Sequence, residues 1–292
     1  MFQQLGLIGC GLIGGSFALA LRQAGLVKRV VGYSKSPTTT VKARQLGVID
    51  IEAPSALLAA SGADLILLAV PVAATEATLR NIREMLKPEV LVMDVGSTKQ
   101  DVVDAARRSL RDMLGCFVPA HPVAGREVSG VEHADANLFR DRQVILTPLE
   151  RTQVQHLDRA QAVWEAMGSK VVRMSPEAHD RAFAAVSHLP HLLAFAAMNG
   201  VLGQEQGNEL LALAGPGFRD FSRIAASDPA MWRDVLLANR QEVLAQSKAF
   251  QQALTAMESL IERGDGEALE RAIRHASVAR AHWRMGTPQS GV

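Results

Sequence analysis

The chain has 292 residues, a formal net charge of +1 and two cysteines. So small a charge gives no reason to expect nucleic acid or an anionic membrane as a partner. Two cysteines cannot form a disulfide framework, so a reducing compartment is expected. No signal peptide is expected at the N-terminus, and no continuous apolar run reaches the roughly 20 residues that span a bilayer. The sequence therefore predicts a cytoplasmic protein with no membrane partner.

Up to residue 174, short apolar runs alternate with stretches of helical spacing. The predicted strands are LGLIG (5–9), VVGY (30–33), DLILLAV (64–70), VLVMDV (90–95), CFVPA (116–120), QVILT (143–147) and KVVRM (170–174). Stretches 16–24, 73–86 and 100–114 between them have helical spacing. Continuous apolar strands separated by helices favour a mostly parallel, doubly wound α/β sheet. We therefore predict a Rossmann-like dinucleotide-binding domain over residues 1–174.

Beyond Met174 the strand signals stop, and prolines punctuate segments that are typical of helices. This predicts an all-α domain over residues 175–292 for substrate binding and dimerisation. A heptad series runs through it, made of Leu236, Val243, Phe250 and Met257 with Leu254 and Ile261 interleaved. Such a series marks a helix face that packs either within one chain or against a second copy. Of the two, we expect the homodimer.

A glycine-rich motif lies between the first predicted strand and the helix that follows it. Its residues are Gly9, Cys10, Gly11, Leu12, Ile13 and Gly14, in the pattern G-x-G-x-x-G. In this context the first glycine makes a tight turn, the second admits a pyrophosphate and the third lets the helix pack closely. Val70 and Pro71 end a later strand at the same edge of the sheet and are expected to turn the chain across the cofactor. For the G-x-G-x-x-G motif, the alternative is a chance glycine-rich turn that binds no dinucleotide.

The cofactor type is expected to depend on the end of the second strand. An acidic residue there usually binds the ribose 2′-hydroxyl of NAD, but this chain has Ser34 and Lys35. A hydroxyl and an ammonium can instead bind a 2′-phosphate. We therefore predict that NADP is preferred and that NAD is possible. The alternative is that Lys35 is a solvated turn residue and both cofactors bind.

Two polar residues follow the next strands along the chain. Ser97 and His121 should lie beyond the carboxyl ends of the strands, where open α/β sheets bind their ligands. A histidine beside a nicotinamide can take the proton of a substrate hydroxyl while hydride leaves the same carbon. The alternatives are a histidine that caps a strand end and a serine that caps a helix.

In the helical half, His188 and His191 are three residues apart and would share a helix face. With His179 and Asp180 nearby, metal ligation is conceivable, but the set lacks a metal signature and no metal is expected. Further along, Arg219 and Arg223 follow a glycine-rich turn. They can either clamp a carboxylate or lie on solvated helix faces.

Taken together, these motifs resemble the prephenate/arogenate (cyclohexadienyl) dehydrogenase family of tyrosine biosynthesis. The matching stretches, in order between residues 7 and 234, are GLIGCGLIGGSFA, DVGSTK, HPVAGREVSGV, SHLPH, GFRDFSRIA and SDPAMWRD. The resemblance implies an oxidative decarboxylation: a ring carbon gives up hydride to the nicotinamide, CO₂ leaves and the ring becomes aromatic. It makes His121 the catalytic histidine and Ser97 its partner.

The resemblance also implies a set of substrate-binding residues, namely Arg223, His188, His191, Glu127, Asp220 and Trp232. Among them, Arg223 would bind a substrate carboxylate and Glu127 would act as a gating acid. His191 would lie near the substrate side chain, and an imidazole suits the keto group of prephenate better than the ammonium of arogenate. We therefore expect prephenate, or both, as substrate.

Two other functions remain open at this point. A β-hydroxyacid dehydrogenase would resemble its relatives in carrying a catalytic lysine in the second domain, where this chain has only Lys248. A non-catalytic NADP(H)-binding sensor would lack an acid or base beside its cofactor, and His121 with Ser97 argues against it.

Overall fold

A six-stranded parallel sheet organises the first part of the chain in the computed structural model, which describes residues 1–125 and 128–285. Its strands are β1 (Phe2–Ile8), β2 (Val27–Tyr33), β3 (Ile51–Glu52), β4 (Leu65–Leu68), β5 (Leu91–Asp94) and β6 (Phe117–Val118). They lie in the order β3-β2-β1-β4-β5-β6, and every pair is parallel. Leu65 and Leu67 pack into one apolar cluster, Ile66 and Leu68 into another. Both faces of the sheet are therefore covered, which explains its continuous apolar strands.

A separate three-stranded sheet follows. It contains β7 (Ala120–Pro122), β8 (Gln143–Leu146) and β9 (Lys170–Arg173). The pair β7–β8 is antiparallel and the pair β8–β9 is parallel. The predicted strand 116–120 is thus divided at Pro119, which has no N–H to donate to a ladder. The mostly parallel doubly wound fold is confirmed, but its last strands leave the main sheet.

Six helices accompany these strands: α1 (Leu12–Gln23), α2 (Pro37–Gln45), α3 (Ala56–Ala60), α4 (Thr75–Ile82), α5 (Gln100–Leu110) and α6 (Val154–Ala166). The described residues after Arg173 form only helices and turns. The helices are α7 (Pro176–Phe183), α8 (Leu189–Leu202), α9 (Gly207–Ala212), α10 (Pro216–Ser222), α11 (Pro229–Ala238), α12 (Arg240–Glu262) and α13 (Gly266–His282). The predicted all-α second part is confirmed, whereas its division from the first at residue 174 stays a prediction.

Helices α7 and α8 are joined without a break by a π-helical turn, Ala184–His188. The whole segment 176–202 is long and apolar enough to cross a membrane by length and composition alone, although little of it is buried. This is weak evidence, since core helices of water-soluble proteins pass the same test. Within it, His179, Asp180 and His188 are buried, whereas Glu177 and Arg181 are exposed.

By its contacts the chain divides into two units, residues 1–240 and residues 241–292. The second unit contains nearly all of α12. Helix α11 ends at Ala238, so Leu236 does not share a helix with the rest of the predicted heptad series. The series is therefore shorter than predicted. Phe250, Leu254 and Ile261 of that series are 38%, 44% and 63% exposed.

Candidate functional site

The turn from β1 to α1 has the geometry of a dinucleotide-binding loop. Gly9 has a φ of +101°, and a Cβ atom there would lie 2.1 Å from the carbonyl oxygen of Ala69. A Cβ at Gly14 would lie 2.0 Å from the carbonyl oxygen of Gly9. At Gly11, by contrast, a Cβ would meet nothing within 4 Å. No described side chain caps α1 at Gly11, so its first amides face this open space and fit a pyrophosphate.

Ser34 is tied to this loop. The backbone N–H of Cys10 donates to Ser34 Oγ at 2.8 Å, which fixes the serine at the end of β2 beside the glycines. Lys35 is exposed next to it. Arg44, a further cation on α2, lies 3.4 Å from the carboxylate of Glu52. Ser34 and Lys35 are therefore the polar groups that the end of β2 offers to a ribose.

Val70 and Pro71 follow β4 at the same edge of the sheet. The N–H of Ala69 donates to the carbonyl of Ile8 at 2.7 Å, which holds the end of β4 beside the end of β1. Pro71 then precedes a 3₁₀ turn, Val72–Ala74. The chain turns at the predicted position, next to the glycine-rich loop.

A buried ion pair joins the loop that carries Ser97 to strand β7, which carries His121. Lys99 Nζ lies 2.5 Å from Asp94 Oδ2 and donates to the carbonyl of Ala120 at 2.8 Å. Asp94 also accepts the N–H groups of Gly96 and Ala120. Burial raises the pKa of the Asp94 carboxyl, and Lys99 opposes that rise. Because Asp94 and Lys99 bridge this loop and β7, they fix the backbone on either side of Ser97 and next to His121.

His121 lies on β7 and is 8% exposed. Its Nδ1 lies 2.8 Å from Nε2 of His179, and Nδ1 of His179 lies 2.8 Å from Oδ1 of Asp180. The same carboxylate accepts the backbone N–H groups of Lys99 at 2.8 Å and Gln100 at 2.9 Å. Asp180 thereby attaches helix α7 to the start of α5, and His179 fixes the Nδ1 side of the His121 ring.

Burial dominates the proton affinities in this cluster. It lowers the pKa of His121 well below 6.5, assisted by His179 and Lys99. It lowers the pKa of His179 to about 2. It raises the pKa of the Asp180 carboxyl, against the opposing effect of the two amides that bind it. His121 and His179 are therefore neutral at physiological pH.

A second group of side chains lies around His188, which is 1% exposed. Asn239 Nδ2 donates to the carbonyl of Asp180 at 2.7 Å and lies 3.1 Å from His188 Nδ1. His188 Nε2 has no hydrogen-bond partner within normal limits in the described part of the chain. Burial lowers the pKa of His188 to about 4, and the adjacent Ser97 backbone opposes that effect. Ser97 and His188 are therefore neighbours.

His191 and Trp232 extend the site. Their rings stack with centroids 3.6 Å apart and an angle of 21° between the planes. Nδ1 of His191 bonds to the carbonyl of Ser187 at 2.8 Å. Trp232 is 7% exposed, and its ring meets that of His188 edge-on at 6.1 Å. The structure thus brings together four predicted residues of the helical half and the loops: Ser97, His188, His191 and Trp232.

The roles of three further predicted residues are not decided by these contacts. Arg223 begins a 3₁₀ turn, Arg223–Ala226, that packs on α8, and its side chain is exposed. Asp220 is 72% exposed and its carboxylate lies 3.2 Å from Arg219. Glu127 lies outside the described residues. Substrate binding by all three stays a prediction.

The sequence did not predict the residues that hydrogen-bond to His121 and His188, namely His179 and Asn239, or Asp180, which binds both of them. The sequence suggests His179 and Asp180 only as conceivable metal ligands, and the described residues contain no group of three or more His, Cys, Asp or Glu side chains that could hold a metal ion. Asn239 carries no sequence signal. The adjacency of His179 and Asp180 at the start of a predicted helix is the only sequence feature that could have pointed to them.

Family models match most of the chain. Residues 17–173 match the nucleotide-binding domain of prephenate dehydrogenase, and residues 175–275 match its dimerization domain. The chain belongs to the prephenate dehydrogenase family. The predicted resemblance is therefore confirmed, and with it the binding of a nicotinamide dinucleotide by the first part of the chain.

Individual relatives of the family agree. The prephenate dehydrogenase of Bacillus subtilis is 37% identical over 94% of this chain and 74% of its own length. The cyclohexadienyl dehydrogenase of Zymomonas mobilis is 34% identical over 96% of both chains. The crystal structure of prephenate dehydrogenase from Aquifex aeolicus, in complex with hydroxyphenyl propionate and NAD⁺, aligns with a TM-score of 0.90 at 36% identity, over 96% of this chain and 98% of that one.

Proposed function

We propose that this protein catalyses the oxidative decarboxylation of prephenate or arogenate, giving 4-hydroxyphenylpyruvate or tyrosine. The observation that carries the proposal is a buried, neutral His121 just beyond the carboxyl end of β6, the last strand of the dinucleotide-binding sheet, in a chain of this family. A bound nicotinamide supplies the hydride acceptor. The side chains around the substrate ring have to position it and to transfer its hydroxyl proton.

The reaction needs one base and a way to break one carbon–carbon bond. The C–H bond at the hydroxyl-bearing carbon gives up hydride, and the hydroxyl proton passes to His121. The bond to the ring carboxylate breaks, CO₂ leaves, and the electron pair of that bond completes the aromatic ring as a phenolate. His121 then returns the proton to the phenolate oxygen, which gives the phenol product and regenerates the neutral base. Since aromatisation makes the step downhill, the protein has mainly to position the ring and hold one proton. Ser97, next to His188, is suited to orient the ring hydroxyl.

Substrate binding is proposed for His188, His191, Trp232, Arg223, Asp220 and Glu127. Arg223 should not form a strong ion pair with the departing carboxylate, because that would stabilise the ground state and oppose loss of CO₂. His191 tilts the choice toward prephenate, or toward both substrates. A β-hydroxyacid dehydrogenase has no such support, because the single lysine after Met174, Lys248, lies on α12.

Membership of the family and the glycine-rich turn between β1 and α1 both support binding of NAD or NADP. Of these two cofactors, we propose that NADP is preferred. The end of β2 offers Ser34 and Lys35 in place of a carboxylate, and a carboxylate there would repel a 2′-phosphate. A relative that is 36% identical was solved with NAD⁺, so NAD remains possible.

We also propose a cytoplasmic homodimer. The described part of α12 and α13 exposes large apolar side chains, among them Phe250, Leu254, Ile261 and Ile273, and the family model that covers both helices up to residue 275 describes a dimerization domain. An apolar face of this kind is expected to pair with a second copy.

The decisive experiment is a spectrophotometric matrix of prephenate and arogenate, each with NAD⁺ and NADP⁺. Turnover of at least one combination supports the function, and the ratios among the four give substrate and cofactor preference. If none of the four is turned over, the proposal is wrong.

Replacement of the base gives an independent test. The variant His121→Asn should lower kcat by about 10²–10⁴-fold, the usual contribution of a general base. Cofactor affinity, measured by fluorescence titration, should be unchanged, because His121 lies outside the glycine-rich loop. A variant with normal kcat would remove His121 from the chemistry.

A further inference from the structure

Three side chains behind the proposed base form a continuous line of hydrogen bonds. Asp180 binds His179 Nδ1 and His179 Nε2 binds His121 Nδ1, each at 2.8 Å. All three residues are at least nine-tenths buried. The rings of His179 and Phe183 are stacked, with centroids 4.4 Å apart and an interplanar angle of 22°, so His179 has little freedom to rotate.

The direction of these hydrogen bonds follows from the carboxylate. Its Oδ1 accepts the Lys99 amide and its Oδ2 accepts the Gln100 amide. An ionised carboxylate can only accept, so the proton between Asp180 and His179 belongs to His179 Nδ1. Since neutral imidazole carries one proton, His179 Nε2 must then accept. The proton in the next bond therefore belongs to His121 Nδ1, and the lone pair of His121 is at Nε2.

The charged and titratable groups around this line favour that state. Lys99, which pairs with Asp94, and His188 both lie near enough to lower the pKa of His121 and of His179. Both make a second positive charge on His121 or His179 unfavourable, and burial acts in the same direction. His121 and His179 are therefore both neutral, and each carries its single proton at Nδ1.

We propose that His179 and Asp180 are positioning residues that hold His121 as its Nδ1-protonated tautomer and so keep Nε2 ready to accept the substrate proton. This deepens the proposed function and rests on it. A free imidazole would populate both tautomers, and the Nε2-protonated form cannot act as the base. After proton transfer, the same bond stabilises the imidazolium, because His179 Nε2 accepts from it.

Three replacements of His179 separate this role from a structural one. In His179→Gln, the side-chain carboxamide reaches the place of Nε2, so its oxygen can accept from His121. In His179→Asn, a side chain shorter by one methylene reaches only the place of Nδ1, near Asp180. His179→Phe keeps the stacking on Phe183 but offers no acceptor.

The proposal predicts that kcat falls by about 10²-fold in the Phe and Asn variants and by less than about tenfold in the Gln variant. Substrate KM should change little in all three. If His179 only filled space, Phe would be the best replacement and Gln no better than Asn. Circular dichroism and thermal melting identify any variant that fails to fold.

A second readout does not depend on turnover. In ¹⁵N-histidine NMR spectra of the wild-type enzyme, the His121 signals, assigned with His121→Asn, should show a protonated Nδ1 and an unprotonated Nε2. The signals should change in His179→Phe and return in His179→Gln. A protonated Nε2 in the wild type, or a Gln variant no more active than the Phe variant, would overturn the proposal. An inactive wild-type enzyme with the expected tautomer would instead count against the proposed function alone.

Discussion

The burial of His121 has a direct consequence for the pH dependence of catalysis. Burial lowers its pKa well below 6.5, and a base works only while it is neutral. The neutral form therefore persists at lower pH than for an ordinary histidine, and the acid limb of the profile moves down. We expect kcat/KM to stay flat as the pH falls from neutrality through 6.5, and to decline only well below it.

Steady-state kinetics across this range check the prediction. The variant His282→Gln, which changes an exposed histidine on α13, serves as a control and should give the same profile. A half-maximal rate at or above pH 6.5 would show that the base titrates as if it were exposed.

The proposed cofactor preference can be tested at two single residues. Ser34→Asp combined with Lys35→Ala should move the NADP⁺/NAD⁺ ratio of kcat/KM toward NAD⁺ by roughly ten- to a hundredfold, the worth of one or two charge-assisted hydrogen bonds. An aspartate at position 34 can still accept the Cys10 N–H, so the loop should keep its shape. Lys28→Ala, at an exposed position of the same strand, is the matched control and should leave the ratio unchanged. A double variant that retained the parent ratio would exclude these residues from cofactor selection.

Among single residues, those of the candidate site that lie at strand ends could be predicted from the sequence, whereas those contributed by the packing of α7 and α11 could not. Gly9 ends a predicted strand, and Ser97 and His121 follow two others, so their common edge could be inferred from the strand pattern alone. His179 is 58 residues from His121, and Asn239 is 51 residues from His188. Contacts over such distances depend on how α7 and α11 pack, which no local pattern encodes.

Among the elements, the π-helical turn Ala184–His188 sets the relative rotation of α7 and α8. It lies between His179 and His191, and such turns are frequent at functional sites. Deleting Ala185 should convert the turn to regular α-helix and displace His188 and His191 relative to α7. The rotation should be smaller than the roughly 100° lost with one residue of a regular helix, because the wide turn already accommodates one extra residue. We expect kcat/KM to fall on the order of 10²-fold, because misplaced groups lose their orientation.

The measurement pairs kinetics with circular dichroism and cofactor titration, both of which should remain close to wild type. Val186→Ala, at a position that is 71% exposed in the same turn, is the control and should be nearly neutral. A fully active deletion variant would mean that the turn has no part in placing the histidines.

The elements also show where pattern reasoning fails. The main strands were predictable because they are buried on both faces and apolar throughout. The π-helical turn has no sequence signature. Helix α11 ends at Ala238, and Asn239, with a φ of −102° and a ψ of 29°, bonds through its side chain to Asp180 and His188. Leu236 therefore lies on a different helix from the rest of the heptad series, which its spacing alone does not reveal.

For the whole molecule, the exposed apolar face of α12 predicts how the chain assembles. Replacing Leu254, which is 44% exposed in the single chain, by glutamate should place a charge in the proposed dimer contact. Burial of an unpaired carboxylate costs several kcal/mol, so the dimer Kd should rise by at least about a hundredfold. Light scattering coupled to size-exclusion chromatography should then give the mass of one chain.

Gln252→Glu supplies the matched control, because it adds the same charge to an exposed polar position of α12 and should leave the dimer intact. If Leu254→Glu kept the wild-type mass, or if the wild-type chain were itself monomeric, this face would not be the contact.

Asp180 acts on the site twice, through two different parts of the same residue. Its carboxylate directs the proton of His121 by way of His179, and its backbone carbonyl directs that of His188 by way of Asn239. Because the carbonyl must accept from Asn239 Nδ2, the same amide donates to His188 Nδ1, and His188 carries its proton at Nε2. One histidine thus presents a lone pair and the other an N–H. A backbone shift at Asp180 would reach both histidines at once. Under the proposed function, kcat and KM should therefore change together in variants that move α7 at Asp180.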